Sequence, residues 1–124
     1  SGRYAGTRQM NSSLADRFSR VIRFEYLSKA DEVTALVRHT QCNDLLAGHV
    51  VDAINAARVR VETGEVIDAP SIRSAIAFIR ALKVLSVDEA WASAVTARQP
   101  SESAAALDSI KAAYLNPSLI EKWI

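Results

Sequence analysis

Asn43-Asp44-Leu45-Leu46-Ala47-Gly48-His49-Val50-Val51-Asp52-Ala53-Ile54-Asn55-Ala56-Ala57-Arg58-Val59-Arg60-Val61-Glu62 is the stretch that decides the fold. Leu46, Val50, Ile54, Ala57 and Val61 recur at the spacing that lines up one face of an α-helix. Gly64 follows where such a helix would stop. The same period continues downstream. Ser71 opens a helix with Ile72, Ile76, Ile79 and Leu82 facing inward, and Ser86 with Glu89 forms a capping box ahead of Ala90, Trp91, Ala94 and Val95. Pro100 and Ser101 introduce a helix carrying Ser103, Leu107, Ile110 and Tyr114. Pro117 then breaks the pattern before an apolar tail of Leu119, Ile120, Trp123 and Ile124. Upstream, Ser28 followed by Asp31 and Glu32 starts a helix that presents Val33, Leu36 and Val37. The expected fold is mainly α, a bundle of four or five helices.

The segment before Ser28 reads differently. Ser1 to Thr7 holds two glycines and reads as loop, and Asn11 can cap a short helix bearing Leu14 and Phe18. Ile22, Phe24 and Tyr26 then alternate with Arg23 and Glu25, the two-residue period of a half-buried strand from Val21 to Tyr26. A lone strand cannot make a sheet, so its partners are expected elsewhere. The chain is therefore read as two parts: residues 1–27, a strand-bearing stub, and residues 28–124, the helical bundle. The Ser1-Gly2 start without Met fits the same expectation, that of a piece of a longer protein.

Composition narrows the class. With 49% hydrophobic and 23% charged residues the chain is globular rather than disordered. A formal net charge of +1 gives no general support for a duplex-DNA binder, and an Ile-rich helix after Ser71 argues against a helix-turn-helix reader. Cys42 is the one cysteine, so no intramolecular disulfide can form and a reducing, cytoplasmic setting is expected. Cys42 and His39 lack the further ligands of a metal site, and none is expected. No apolar run approaches the roughly 20 residues that span a bilayer, and no signal peptide is visible.

No catalytic apparatus can be assembled from this chain. Gly2, Gly6, Gly48 and Gly64 do not form G-x-x-x-x-G-K-[ST], the loop whose backbone N–H groups wrap phosphates. No apolar strand ends in an Asp-Glu pair for Mg²⁺, and neither Ser-His-Asp nor Cys-His nucleophile arrangements can be built. Two arginines stand out instead. Arg73 follows the cap Ser71 by two positions, in the first turn of a helix, where a cation opposes the helix dipole at a cost of up to ~0.5 kcal/mol. Free backbone N–H groups make that helix end anion-friendly, and a guanidinium beside them would hold a phosphate twice over. Arg17, in Asp16-Arg17-Phe18, projects from a point anchored by Phe18 and could reach across an interface. On spacing alone the plainer reading is favoured for each: a solvated surface cation for Arg73, and for Arg17 a helix-terminal cation on the last carbonyls, paired with Asp16.

The run Gly6-Thr7-Arg8-Gln9-Met10-Asn11-Ser12-Ser13-Leu14-Ala15-Asp16-Arg17-Phe18 resembles the GT-x-x-(I/L)-N-x-(A/S)-x-x-DR-(F/W) segment of MoxR-type AAA+ ATPases, close to the cobaltochelatase small subunit, CbbQ and NorQ group. Ser71-Ile72-Arg73-Ser74-Ala75 is similar to the start of that family's sensor-2 helix, with Ile72 in place of the common Pro. The resemblance implies that residues 1–27 end an α/β ATPase core and residues 28–124 form its helical lid. It implies Arg17 as an arginine finger acting in trans and Arg73 as sensor 2 acting in cis on bound ATP. It further implies ATP and Mg²⁺ in the intact protein, a hexameric ring, and an activity that remodels a partner, in metal insertion or enzyme activation, with a von Willebrand A-domain protein as a companion. Walker A, Walker B and sensor-1 residues are not in this sequence, so the chain alone is expected to be inactive. The alternative from a different class is a free-standing helical adaptor that binds proteins through its bundle surface.

Overall fold

A computed structural model describes residues 26–124. Six α-helices occur among the described residues: α1 (Lys29–Thr40), α2 (Asp44–Val61), α3 (Ile72–Ala81), α4 (Val87–Ala94), α5 (Ala104–Tyr114) and the short α6 (Pro117–Ile120). Single 3₁₀ turns at Thr96–Arg98, Ser101–Ser103 and Glu121–Trp123 complete the set. The described part of the chain is mainly helical, as the periodicity requires. The expected strand lies outside the described residues except for Tyr26, which is in neither helix nor strand.

Each of the first four helices begins on a side-chain cap. Ser28, Asn43, Ser71 and Ser86 accept from the backbone N–H of Asp31, Leu45, Arg73 and Glu89 respectively, satisfying donors that the first turn leaves free. Glu89 returns the bond to the Ser86 backbone, closing the capping box. Two of the helix ends need a left-handed or glycine residue beyond them. Gln41 (φ 57°) ends α1 and donates to the Val37 carbonyl, and Gly64 (φ 82°) turns the chain after α2.

α2 is the central helix: it packs against α1, α3 and α5. That position explains why it buries more than one stripe. Leu46, Val50, Ile54 and Ala57 are sealed as the spacing predicts, but Ala47, Val51 and Ala53 are sealed on a second flank. α3 packs on α4 through Phe78 and Trp91, whose rings meet edge to face at 5.7 Å. The buried face of α3 is accordingly Ala75, Phe78, Ile79 and Leu82, rotated from the expected stripe, with Ile72 and Ile76 only half-buried. Trp91 also donates its indole N–H to the Leu107 carbonyl (3.2 Å), tying α4 to α5. The tail caps its own bundle. Ile120 is sealed, and Trp123 packs on the core with its ring 5.3 Å from that of His49.

Candidate functional site

Arg73 stands where the sequence places it, in the first turn of α3, and it is exposed. Its backbone N–H donates to Ser71 Oγ at 3.2 Å, so the turn is capped. No acidic residue occupies that first turn, and among the described residues the Arg73 guanidinium has no ion-pair partner. The side chain is thus left available, at a helix end whose dipole favours an anion.

The base under that turn is unusually well fixed for a connection of its length. Between α2 and α3, Val66 is sealed in the core and its N–H donates to the Arg60 carbonyl. Ile67 N–H donates to Oγ of the buried Ser103 (2.9 Å). Asp68 and Gln99 exchange two bonds, Asp68 N–H to Gln99 Oε1 (3.2 Å) and Gln99 Nε2 to the Asp68 carbonyl (2.7 Å). Finally, Arg58 Nε donates to the Pro70 carbonyl (3.1 Å), one residue before the cap Ser71. A long connection that would otherwise be mobile is held at four successive points, and α3 therefore starts from a defined place.

Arg58 is the residue that sequence reasoning missed. It is only 8% exposed, and its guanidinium serves several partners at once. Nη1 donates to Glu32 Oε1 on α1 and to Asn55 Oδ1 on its own helix, both at 2.9 Å, while the Tyr26 ring lies with its centroid 3.7 Å from Cζ. Burial of a charge is tolerated here because it is paired and hydrogen-bonded. A signal existed: Arg58 continues the four-residue step Leu46, Val50, Ile54, so a charge falls in the apolar register of α2.

The remaining residues of interest are dispersed. Arg17, with Arg20 and Arg23, lies outside the described residues. His39 is exposed in the last turn of α1, and its carbonyl accepts from Arg80 Nη2 (3.3 Å). Cys42 is half-buried beside an open groove of about 280 Å³ that Leu46, Ile79, Leu82 and Trp123 also line. No group of three or more His, Cys, Asp or Glu among the described residues is placed to hold a metal ion. Nor is any helix among them long and apolar enough to cross a membrane. Comparison of the chain with protein-family models, with curated proteins and with solved structures finds no match.

Proposed function

We propose that this bundle is the nucleotide-sensing lid of a ring-forming AAA+ ATPase of the MoxR type, working in the cytoplasm to remodel a partner protein. The observation that carries the reading is Arg73: an exposed guanidinium, without an ion-pair partner among the described residues, on the first turn of a capped helix whose base is tied down. Such a placement suits a γ-phosphate approaching along the helix axis. In this reading ATP and Mg²⁺ bind to a core carrying the phosphate loop, Arg73 contacts nucleotide in its own subunit, and Arg17 reaches the nucleotide of the neighbour in a hexamer. Phosphate contacts then turn the lid against the core as a rigid body. Such a ring could serve metal insertion or enzyme activation, alone or beside a von Willebrand A-domain companion.

The test begins with the encoding reading frame, in which G-x-x-x-x-G-K-[ST] is expected upstream of Ser1. The protein from that frame should hydrolyse ATP, and Arg73→Ala should slow it, while the 124-residue chain alone should release no phosphate. A frame with no phosphate loop, or hydrolysis untouched by Arg73→Ala, overturns the proposal. The former result would favour a free-standing helical adaptor.

A further inference from the structure

We infer that Tyr26, Arg58 and Pro70 form a mechanical relay, through which displacement of Tyr26 reaches the first turn of α3. The inference stands on geometry alone and does not require that the bundle bind nucleotide. Tyr26 precedes α1 and lies outside any helix. Its ring nevertheless rests against the Arg58 guanidinium, centroid to Cζ 3.7 Å. Tyr26 is 44% exposed, whereas the Arg58 side chain is almost sealed. Tyr26 is thus a surface group in direct contact with a buried cation.

What makes the contact transmissible is the division of labour on the guanidinium. Nη1 is committed to Glu32 and Asn55, which hold Arg58 to α1 and to its own helix. Nε alone reaches forward, to the Pro70 carbonyl next to the α3 cap. With the ring in place the guanidinium is shielded on one side. With the ring withdrawn, water competes for the donors, and each bond they make to protein weakens. Glu32 keeps full opposite charge, and Asn55 is a neighbour one turn back on the same helix, so the neutral Pro70 carbonyl, reached by Nε alone from twelve residues away, is the partner held by least else. The effect of moving Tyr26 is therefore felt first at Pro70 and Ser71. From there it passes to the amides of Ser74 and Ala75, both bonded to the Ser71 carbonyl.

Amide hydrogen exchange and chemical shifts of the 124-residue chain, followed by NMR, test the relay. Tyr26→Leu should speed exchange at Ser74 and Ala75 about threefold, on the scale of an exposed cation–π contact, and shift the Ile72 and Arg73 amides. The amides of Leu107 and Ile110 in α5 should not change, and Tyr26→Phe, which keeps the ring face, should match the wild type. In an Arg58→Lys background, where the charge and the pairing to Glu32 can persist but the forward Nε donor is gone, Tyr26→Leu should add nothing further at α3. The relay is refuted if Tyr26→Leu leaves the α3 amides unchanged, or if it speeds α5 equally. It is refuted as well if its effect survives intact in Arg58→Lys. Should Arg58→Lys fail to fold, the contrast of Tyr26→Leu with Tyr26→Phe, referenced to α5, still decides.

Discussion

Arg58 Nη1 and Glu32 Oε1 stand 2.9 Å apart across the α1–α2 interface, with the two side chains only 6% and 4% exposed. A pair this dry is costly to assemble and more costly to break, since removing one partner leaves the other charge buried alone. Its value here is less in net stability than in where it directs the remaining donors of Arg58, one of which sets the start of α3.

The first prediction follows from that asymmetry. Glu32→Gln should destabilise the chain by about 3–5 kcal/mol, and Arg58→Met by a similar amount. The double variant Glu32→Met/Arg58→Met should lose less than either single substitution, because no unpaired charge remains. Urea unfolding followed by circular dichroism measures all three. Additive losses would show that the pair is not the unit of stability.

A second prediction concerns the two glycines among the described residues. Gly48 lies inside α2, and an added Cβ there would meet Lys29 Cε at 3.9 Å, an ordinary contact. Gly48→Ala should therefore stabilise by up to ~1 kcal/mol through helix propensity. Gly64 has open space around it but a φ of +82°, so Gly64→Ala should destabilise by about 1–2 kcal/mol through backbone strain alone. Equal signs for the two substitutions would contradict the conformations described.

Trp91 supplies the third. It is 1% exposed, edge-on to Phe78, and bonded to the Leu107 carbonyl. Trp91→Ala should cost about 3–5 kcal/mol and unfold much of the population at elevated temperature. Trp91→Phe should retain part of this packing and lose less. Thermal melts rank the two, and an indistinguishable pair would mean that the indole bond and the extra ring volume contribute nothing.

Arg73 gives a prediction in which stability and activity move oppositely. At the first turn of α3 its charge opposes the helix dipole, so Arg73→Glu should stabilise the isolated chain by about 0.3–1 kcal/mol. In the intact protein of the proposed function, the same change should abolish the response to nucleotide. Urea midpoints and ATP turnover read the two effects separately. A destabilised Arg73→Glu chain would show that Arg73 has a structural partner.

The proposed roles of Arg73 and Arg17 separate in mixed rings. Loss of an arginine finger commonly lowers hydrolysis by ~10³ or more, and a finger acts on the neighbouring site. A Walker-A mutant that keeps Arg17 should then partly rescue an Arg17→Ala subunit. It should give no rescue to Arg73→Ala, whose defect lies in its own subunit. Identical responses to mixing would mean the roles are misassigned.

Helix starts were legible because a cap is a local event. Ser28, Asn43, Ser71 and Ser86 each bond a backbone N–H two or three residues ahead, so sequence neighbours carry the whole signal. Which face of a helix is buried was less legible, because it depends on where the neighbouring helices lie. α4 buries Ala90, Trp91, Ala94 and Val95 as its spacing predicts, whereas α3 is turned toward Trp91 and buries Phe78 in preference to Ile76. The pairing of Arg58 with Glu32 was illegible for a further reason. They are 26 residues apart, and a charged side chain on a helix reads as solvated until its partner across the interface is known. Arg73 was legible as a first-turn residue because the cap Ser71 that starts the helix lies two positions before it.

The two tryptophans sit in unlike surroundings, Trp91 sealed between α3, α4 and α5 and Trp123 half-open beside His49 and Lys122. The protein thereby carries two intrinsic fluorophores that an aqueous quencher can tell apart. Acrylamide or iodide should extinguish the Trp123 emission while the Trp91 emission, shifted to shorter wavelength by its dry environment, persists. Loosening of the tail and opening of the core can then be followed as separate optical signals in the same unlabelled sample.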